Sequence, residues 1–154
     1  PDMEAVDLLD VAKDCVERQK LNAQRSFISL TYLGESARVL GNRDQLDELC
    51  QNLCDNAIRY NRPGGKVQLI TSCTRDGHCT LTVKDNGIGI PKDAQSSVFE
   101  RFYRVDKSRS KATGGTGLGL AIVKHIARIH NARIKLESEI GEGTTITVLF
   151  ETAH

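Results

Sequence analysis

Between Asp44 and Asn61, in DQLDELCQNLCDNAIRYN, the hydrophobic residues recur at helical spacing. At about 100° per residue, Leu46, Leu49, Cys50, Leu53 and Ala57 share one apolar face, and Asn52, Asn56 and Arg59 form a polar stripe beside it with Tyr60 at its margin. One amphipathic helix is predicted, ended by Arg62-Pro63-Gly64-Gly65, which turns tightly into KVQLITSCT. Asp76-Gly77 then reverses the chain into HCTLTVKD, where Leu81 and Val83 alternate with polar neighbours as in a hairpin.

Upstream, Val6, Leu9, Ala12 and Val16 repeat at helical spacing, predicting a packing helix from Met3 to Gln24 with Asp2 as its N-cap. The β-rich stretches SFISLTYL and ARVLG, bounded by Gly34 and Gly41, predict two strands and a candidate hairpin. Downstream, Asn86 to Gly115 lacks strong periodicity apart from a short helical piece near Asp93 to Phe102, and its length predicts a functional loop. A second long helix is predicted from Thr116 or Gly117, with Leu118, Ile122, Ile126 and Ile129 on one face, followed by a hairpin around Gly141-Glu142-Gly143. About three helices and five or more strands, paired in hairpins rather than βαβ units, make an α+β two-layer sandwich.

Composition narrows this picture little. The 154 residues suit one domain, and 39% apolar with 27% charged residues places the chain among globular proteins. A formal net charge of +1 gives no electrostatic case for nucleic acid. The five cysteines are odd in number and mostly at apolar positions, so reduced, buried thiols in a cytosolic compartment are expected. Cys50 and Cys54 lie one turn apart but have no further ligands at zinc spacing. There is no secretory signal and no run long enough to span a bilayer.

Three features carry candidate chemistry. Asn52 and Asn56 point the same way, and their neutral amide oxygens suit Mg²⁺ when water and phosphate complete its shell; such a stripe fits solvated surface equally. In DNGIGIP, Asp85 ends a strand where its carboxylate can accept from an exocyclic amine, while Gly87 and Gly89 admit close backbone approach. GGTGLGLA, Gly114 to Ala121, opens a helix whose unpaired N–H groups suit phosphate. Neither glycine cluster is a P-loop or a G-x-G-x-x-G dinucleotide turn within a βαβ unit.

Taken in order, NLCDNAIRYN, DNGIGI, FERFYR and GGTGLGLA resemble the N, G1, F and G2 boxes of the ATP-binding catalytic domain of sensor histidine kinases, in the superfamily that includes gyrase, Hsp90 and MutL. The resemblance implies a Bergerat-type α/β sandwich: a mixed, mostly antiparallel sheet of about five strands, backed by about three helices, with ATP between the N-box helix and a lid. It implies Asn56 as the main Mg²⁺ ligand with Asn52 assisting, Arg59 near the phosphates, Tyr60 on the base or ribose, and Asp85 on the adenine amine with Gly87, Gly89 and Ile90 shaping that end. Phe99 and Phe102 match lid anchors, and Arg101 and Arg104 candidate phosphate contacts. Gly115, Thr116, Gly117 and Gly119 match the phosphate-side turn, with Leu118 and Leu120 packing beneath; Lys107, Arg109 and Lys111 fall in the lid. Asn131-Ala132 stands where relatives often carry glycine, and asparagine tolerates the left-handed conformation that would end this helix.

The activity so implied is Mg-ATP binding and supply of the γ-phosphoryl to a histidine on a separate helical hairpin of the same kinase, with a response regulator downstream. His78, His125, His130 and His154 lie in no phosphoacceptor context, so that hairpin and the sensor domains are expected outside this chain. The fragment is expected to be monomeric, the intact kinase a homodimer anchored in a bacterial membrane with this domain in the cytoplasm. The alternatives are an ATP-hydrolysing clamp of the gyrase, Hsp90 or MutL kind, a nucleotide-binding module without transfer, and a serine-directed anti-sigma kinase. The clamp requires a carboxylate base where Asn52 stands, a role open only to Glu48 one turn earlier; the anti-sigma kinase is disfavoured by the FERFYR box.

Overall fold

The computed structural model describes residues 2–100 and 119–151. In chain order the elements are β1 (Glu4–Asp7), α1 (Leu8–Arg25), β2 (Ser29–Gly34), β3 (Arg38–Gly41), α2 (Arg43–Arg59), β4 (Lys66–Cys73) and β5 (His78–Asp85). A 3₁₀ turn (Lys92–Ala94), α3 (Gly119–Ile129), β6 (Arg133–Glu139) and β7 (Gly143–Glu151) follow.

Five strands form one sheet in the order β2-β4-β5-β7-β6, antiparallel except for the parallel β2–β4 pair. Alternation along β4, β5 and β7 sends Val67, Leu69, Leu81, Val83, Val148 and Phe150 into the core and leaves polar residues on the other face. The helices cover the inner face, with α2 between α1 and α3. The predicted stripe is the one buried: Leu46, Leu49, Cys50, Leu53 and Ala57 are all inside. Each leucine so buried contributes roughly 1.5–3 kcal/mol. The helix begins one residue earlier than the pattern suggested, at Arg43, because Asn42 caps it by accepting from the Gln45 N–H at 3.0 Å.

Buried His130 fixes that cap from the other side of the core. Its Nε2 accepts from the Asn42 N–H at 3.1 Å while Nδ1 donates to the Ile126 carbonyl at 2.8 Å, tying the end of α3 to the start of α2. Asn131 just beyond has φ of 54°, the left-handed conformation expected of it.

Four sequence expectations are corrected. The opening helix does not begin at Met3 with Asp2 as cap: Glu4–Asp7 is a strand paired antiparallel with β3, and Asp7 is the cap. The Asp7 carboxylate accepts from the Leu9 N–H at 3.0 Å and the Ala37 N–H at 2.8 Å, so it stops the strand, starts the helix and binds the following loop. The second correction concerns β2 and β3, which form no hairpin; the Glu35 N–H donates to the Thr71 carbonyl, and the chain then leaves the sheet to pair with β1. Third, the helical piece near Asp93 is a single 3₁₀ turn followed by turns through Phe99. Fourth, Cys73 and Cys79 are not free thiols. They stand opposite each other in the β4–β5 register and are joined as a disulfide, whereas Cys15, Cys50 and Cys54 are free and buried.

Burial alone would raise the Asp7 carboxyl; the Ser36 hydroxyl, the Ala37 and Leu9 amides and nearby Arg38 outweigh it and hold the group below its ordinary value. Its stabilising contribution is therefore present above the unfolded value of about 3.9 and is lost as pH falls through the folded one. Asp7→Ala is expected to cost about 1–2 kcal/mol in urea unfolding at pH 7. The difference from the parent should shrink below about pH 4.

Candidate functional site

The site is built where α2, the loop after β5 and the β6–β7 turn meet. Asn52 and Asn56 lie one turn apart on α2, both half-buried, and among the described residues neither side-chain amide makes a hydrogen bond. Gly119, the first described residue of α3, faces them: a Cβ there would lie 3.8 Å from both Asn52 Oδ1 and Asn56 Nδ2. The start of α3 at Gly119 therefore lies beside the asparagine pair. Arg59 pairs with Asp55 on its own helix at 2.7 Å and is half-buried. Glu48, one turn before Asn52, is exposed.

At about 1.5 Å per residue, Tyr60 lies roughly 12 Å along the axis from Asn52. Here α2 ends, and its terminal carbonyl receives the next loop: the Ile88 N–H donates to Tyr60 O at 3.1 Å. Gly87 is required at this crossing, since a Cβ would sit 2.4 Å from the same carbonyl. Gly89 is required for another reason, with φ of +77° and a Cβ position 2.2 Å from the Glu139 carbonyl.

Asp85, the last residue of β5, is half-buried. Its Oδ1 accepts from the Gly87 N–H at 2.8 Å and the Thr144 N–H at 3.1 Å, one from each flanking loop. Among the described residues Oδ2 receives no hydrogen bond, leaving one acceptor for an incoming donor. Burial raises the Asp85 carboxyl above its ordinary value, against the smaller opposite pull of the Gly87 and Thr144 amides.

Three residues in this framework were not singled out as site candidates from sequence. Arg62 spans three carbonyls, donating to Gly87 O and Gly141 O at 3.1 Å and Asn86 O at 3.3 Å, so one guanidinium holds the Asp85 loop and the β6–β7 turn together. Thr144 and Ser138 place hydroxyls 2.7 Å apart beside Asp85's partner loop. Thr144 was detectable in principle, being a polar residue at an inward position directly after a glycine turn. The Arg62 contacts cross to a loop and a turn far away in sequence, and no local pattern announces them.

Of the other expected residues, Phe99 is half-buried and Ile90 donates its N–H to Ser138 Oγ at 2.8 Å. Leu120 packs against the core. Arg101, Phe102, Arg104, Lys107, Arg109, Lys111, Gly114, Gly115, Thr116, Gly117 and Leu118 lie outside the described residues. Cys15, from α1, and Cys50 and Cys54, from α2, are free thiols buried in the core. A groove of about 460 Å³ between α1 and β2, lined by Lys13, Val16, Lys20, Leu30 and Tyr32 among others, shares none of the candidate residues.

The profile of the histidine kinase-, DNA gyrase B- and HSP90-like ATPases matches residues 41–154. The chain belongs to this family. The sensor-like histidine kinase SenX3 of Mycolicibacterium smegmatis is 49% identical over 149 residues, covering 96% of this chain. The chain spans only 38% of that protein's length. The mycobacterial sensor histidine kinase MprB superposes with a TM-score of 0.82 at 31% identity, covering 97% of each chain. Full-length ShkA, solved in complex with AMPPNP, superposes with a TM-score of 0.83 at 26% identity over 98% of this chain and 32% of that one. The five-stranded mixed sheet, backed among the described residues by three helices, is thus the sandwich of histidine kinase catalytic domains.

In this ATPase domain the raised Asp85 carboxyl has a consequence for folding. A group that binds its proton more tightly when folded costs stability as the anion, and returns it as pH falls through the folded value. Asp85→Asn keeps an oxygen for the Gly87 and Thr144 amides but removes the buried charge. The variant is expected to be at least as stable as the parent at pH 7, with its advantage shrinking on acidification through the folded Asp85 value. Urea midpoints across pH 4–7 check this, and an advantage that grows on acidification contradicts it.

Proposed function

We propose that the chain binds Mg-ATP across α2 and the Asp85 loop and supplies the γ-phosphoryl for phosphorylation of a histidine on a separate helical hairpin of a sensor kinase. The observation that carries this reading is the Asp85 carboxylate at the end of α2, with Oδ1 held by two backbone amides and, among the described residues, Oδ2 open and the two asparagine amides unpartnered. A single open acceptor suits the exocyclic amine of adenine. Membership in an ATPase family and the AMPPNP complex of ShkA support nucleotide binding.

The residues present fit a divalent cation. Asn56 and Asn52 offer neutral, hard amide oxygens with no competing hydrogen bond among the described residues, a donor set that suits Mg²⁺ sharing phosphate and water. Bound there, the ion would neutralise developing charge on the phosphate oxygens. The protein's own part is to orient. Asp85, Gly87 and Gly89 seat the base, Tyr60 and Ile90 border it, and Gly119 and Leu120 stand on the phosphate side, a role that the sequence motif also gives to Gly115, Thr116, Gly117 and Leu118. Arg59, now paired with Asp55, would offer positive charge to the phosphates, the role that the sequence motif also gives to Arg101 and Arg104.

In the transfer itself, a ring nitrogen of the partner histidine attacks the γ-phosphorus in line. The bond from that phosphorus to the bridging oxygen breaks, ADP leaves, and the ring gives up a proton to solvent or a base. The chain carries no carboxylate at the Asn52 position to activate a water instead, and Glu48 is exposed. In the longer protein the phosphoryl would pass on to a response regulator. The kinase would act as a homodimer at a bacterial membrane, with this region in the cytoplasm.

With a histidine-bearing hairpin domain and radiolabelled ATP, acid-labile phosphohistidine should form only with Mg²⁺ present. Asn56→Ala should lower its rate roughly 10–100-fold, the range seen when support of a metal is removed. Steady hydrolysis of ATP by the chain alone, lost in Glu48→Ala, would overturn the transfer reading in favour of a clamp.

A further inference from the structure

Cys73 and Cys79 close the β4–β5 ladder at its hairpin end, and solvent reaches them unequally. Cys73 is half-buried beside the exposed residues 74–76, whereas Cys79 is 0% exposed. A thiolate arriving from solvent therefore meets Cys73 Sγ first, with Cys79 as the leaving sulfur.

Each sulfur also has a second neighbour. Cys73 Sγ lies 3.9 Å from the Ser36 carbonyl oxygen and Cys79 Sγ 3.8 Å from that of Arg38, both within reach of a weak thiol hydrogen bond. Joined to each other, the sulfurs have no proton to offer; as thiols, each would donate to the carbonyl beside it. These carbonyls flank the segment that holds the α1 cap, where the Ala37 N–H donates to Asp7 Oδ1 at 2.8 Å and the Ser36 hydroxyl donates to Asp7 Oδ2. The same segment is tied to β4 through the Glu35 N–H on the Thr71 carbonyl at 3.2 Å and the Cys73 N–H on Glu35 Oε1 at 3.0 Å.

We propose that Cys73–Cys79 is a thiol–disulfide exchange site, opened by a dithiol reductant, whose sulfurs tether either the β4–β5 hairpin or the loop between β2 and β3. In the first step a reductant thiolate bonds to Cys73 Sγ, the bond between the two cysteine sulfurs breaks, and Cys79 leaves with the electron pair and takes a proton. The second thiolate of the reductant then attacks the reductant sulfur of the mixed disulfide. Cys73 is released and protonated, and the reductant closes into its own disulfide. Two electrons and two protons reach the pair. The hairpin loses its crosslink, and the Ser36 and Arg38 carbonyls gain two donors. The nucleotide reading above has no part in this step.

The test holds the folded chain at neutral pH in oxidised glutathione or in reduced dithiothreitol, then quenches with acid, denatures, and counts added N-ethylmaleimide by mass. Oxidised protein should take three, at Cys15, Cys50 and Cys54, and reduced protein all five. Peptide mapping of the oxidised form should place the crosslink at Cys73 and Cys79, and moving reduced protein back to oxidised glutathione should restore it. Five additions in both buffers, or three that persist in dithiothreitol until denaturant is added, overturn the exchange site. Amide hydrogen exchange reads the change of tether. Reduction should speed the Thr74 and Gly77 amides and slow those of Glu35 and Ala37, each by about threefold. Gly87, beyond the other end of β5 and roughly 20 Å away, should stay unchanged. Cys73→Ser, which cannot close the pair, should show no response to reductant at any of these amides. Faster exchange at all four amides on reduction, no change at any of them, or a response that survives in Cys73→Ser contradicts the loop tether and leaves a plain crosslink.

Discussion

A partly buried carboxylate at the end of β5 carries the organisation of this molecule. Asp85 is held on one oxygen by amides from two loops that are far apart in sequence, Gly87 after its own strand and Thr144 at the start of β7. Burial works against the charged form, and the two amides only partly compensate. The surrounding glycines follow from this constraint. Backbone must pass close enough for its amides to reach the carboxylate, and side chains at 87 and 89 would strike the Tyr60 and Glu139 carbonyls. Arg62 and Ser138 then keep the two loops from separating, one through three carbonyls and the other through a shared hydroxyl.

The fold delivers the remaining parts to this point. Because α2 is flanked by α1 and α3, its apolar stripe is buried and its asparagine stripe emerges at the margin, where α3 begins. His130 fixes the far end of the same helix through the Asn42 amide, so both termini of α2 are tied to other elements. A helix held at both ends fixes the backbone that carries Asn52 and Asn56, so a ligand at that stripe would have only their side chains to order.

What the sequence reveals and what it hides divide along the range of the interactions. The α2 stripe, the β4–β5 hairpin and the β6–β7 hairpin are periodic or closed by local turns, so spacing alone finds them. The strand at Glu4–Asp7 is hidden because Val6 also fits the helical register of Leu9 and Ala12, and only pairing with β3 reveals it. The parallel pairing of β2 with β4 has no local signal, since the segments between them form other elements. Cysteine counting suggested free thiols, but Cys73 and Cys79 are joined by strand register, a property that composition does not carry. At the site, Asp85 and its glycines were legible as a motif. The hydroxyls of Ser138 and Thr144 and the guanidinium of Arg62 matter through contacts made only after the sheet has closed.

Backbone and side-chain amide NMR of labelled protein, titrated with AMPPNP and Mg²⁺, locates the bound nucleotide most directly. Shifts should concentrate at Gly87, Ile88 and Thr144 and at the side-chain amides of Asn52 and Asn56, while Lys20, Leu30 and Tyr32 in the α1–β2 groove stay still. Shifts centred on that groove, or none at saturating nucleotide, would contradict a site built around Asp85.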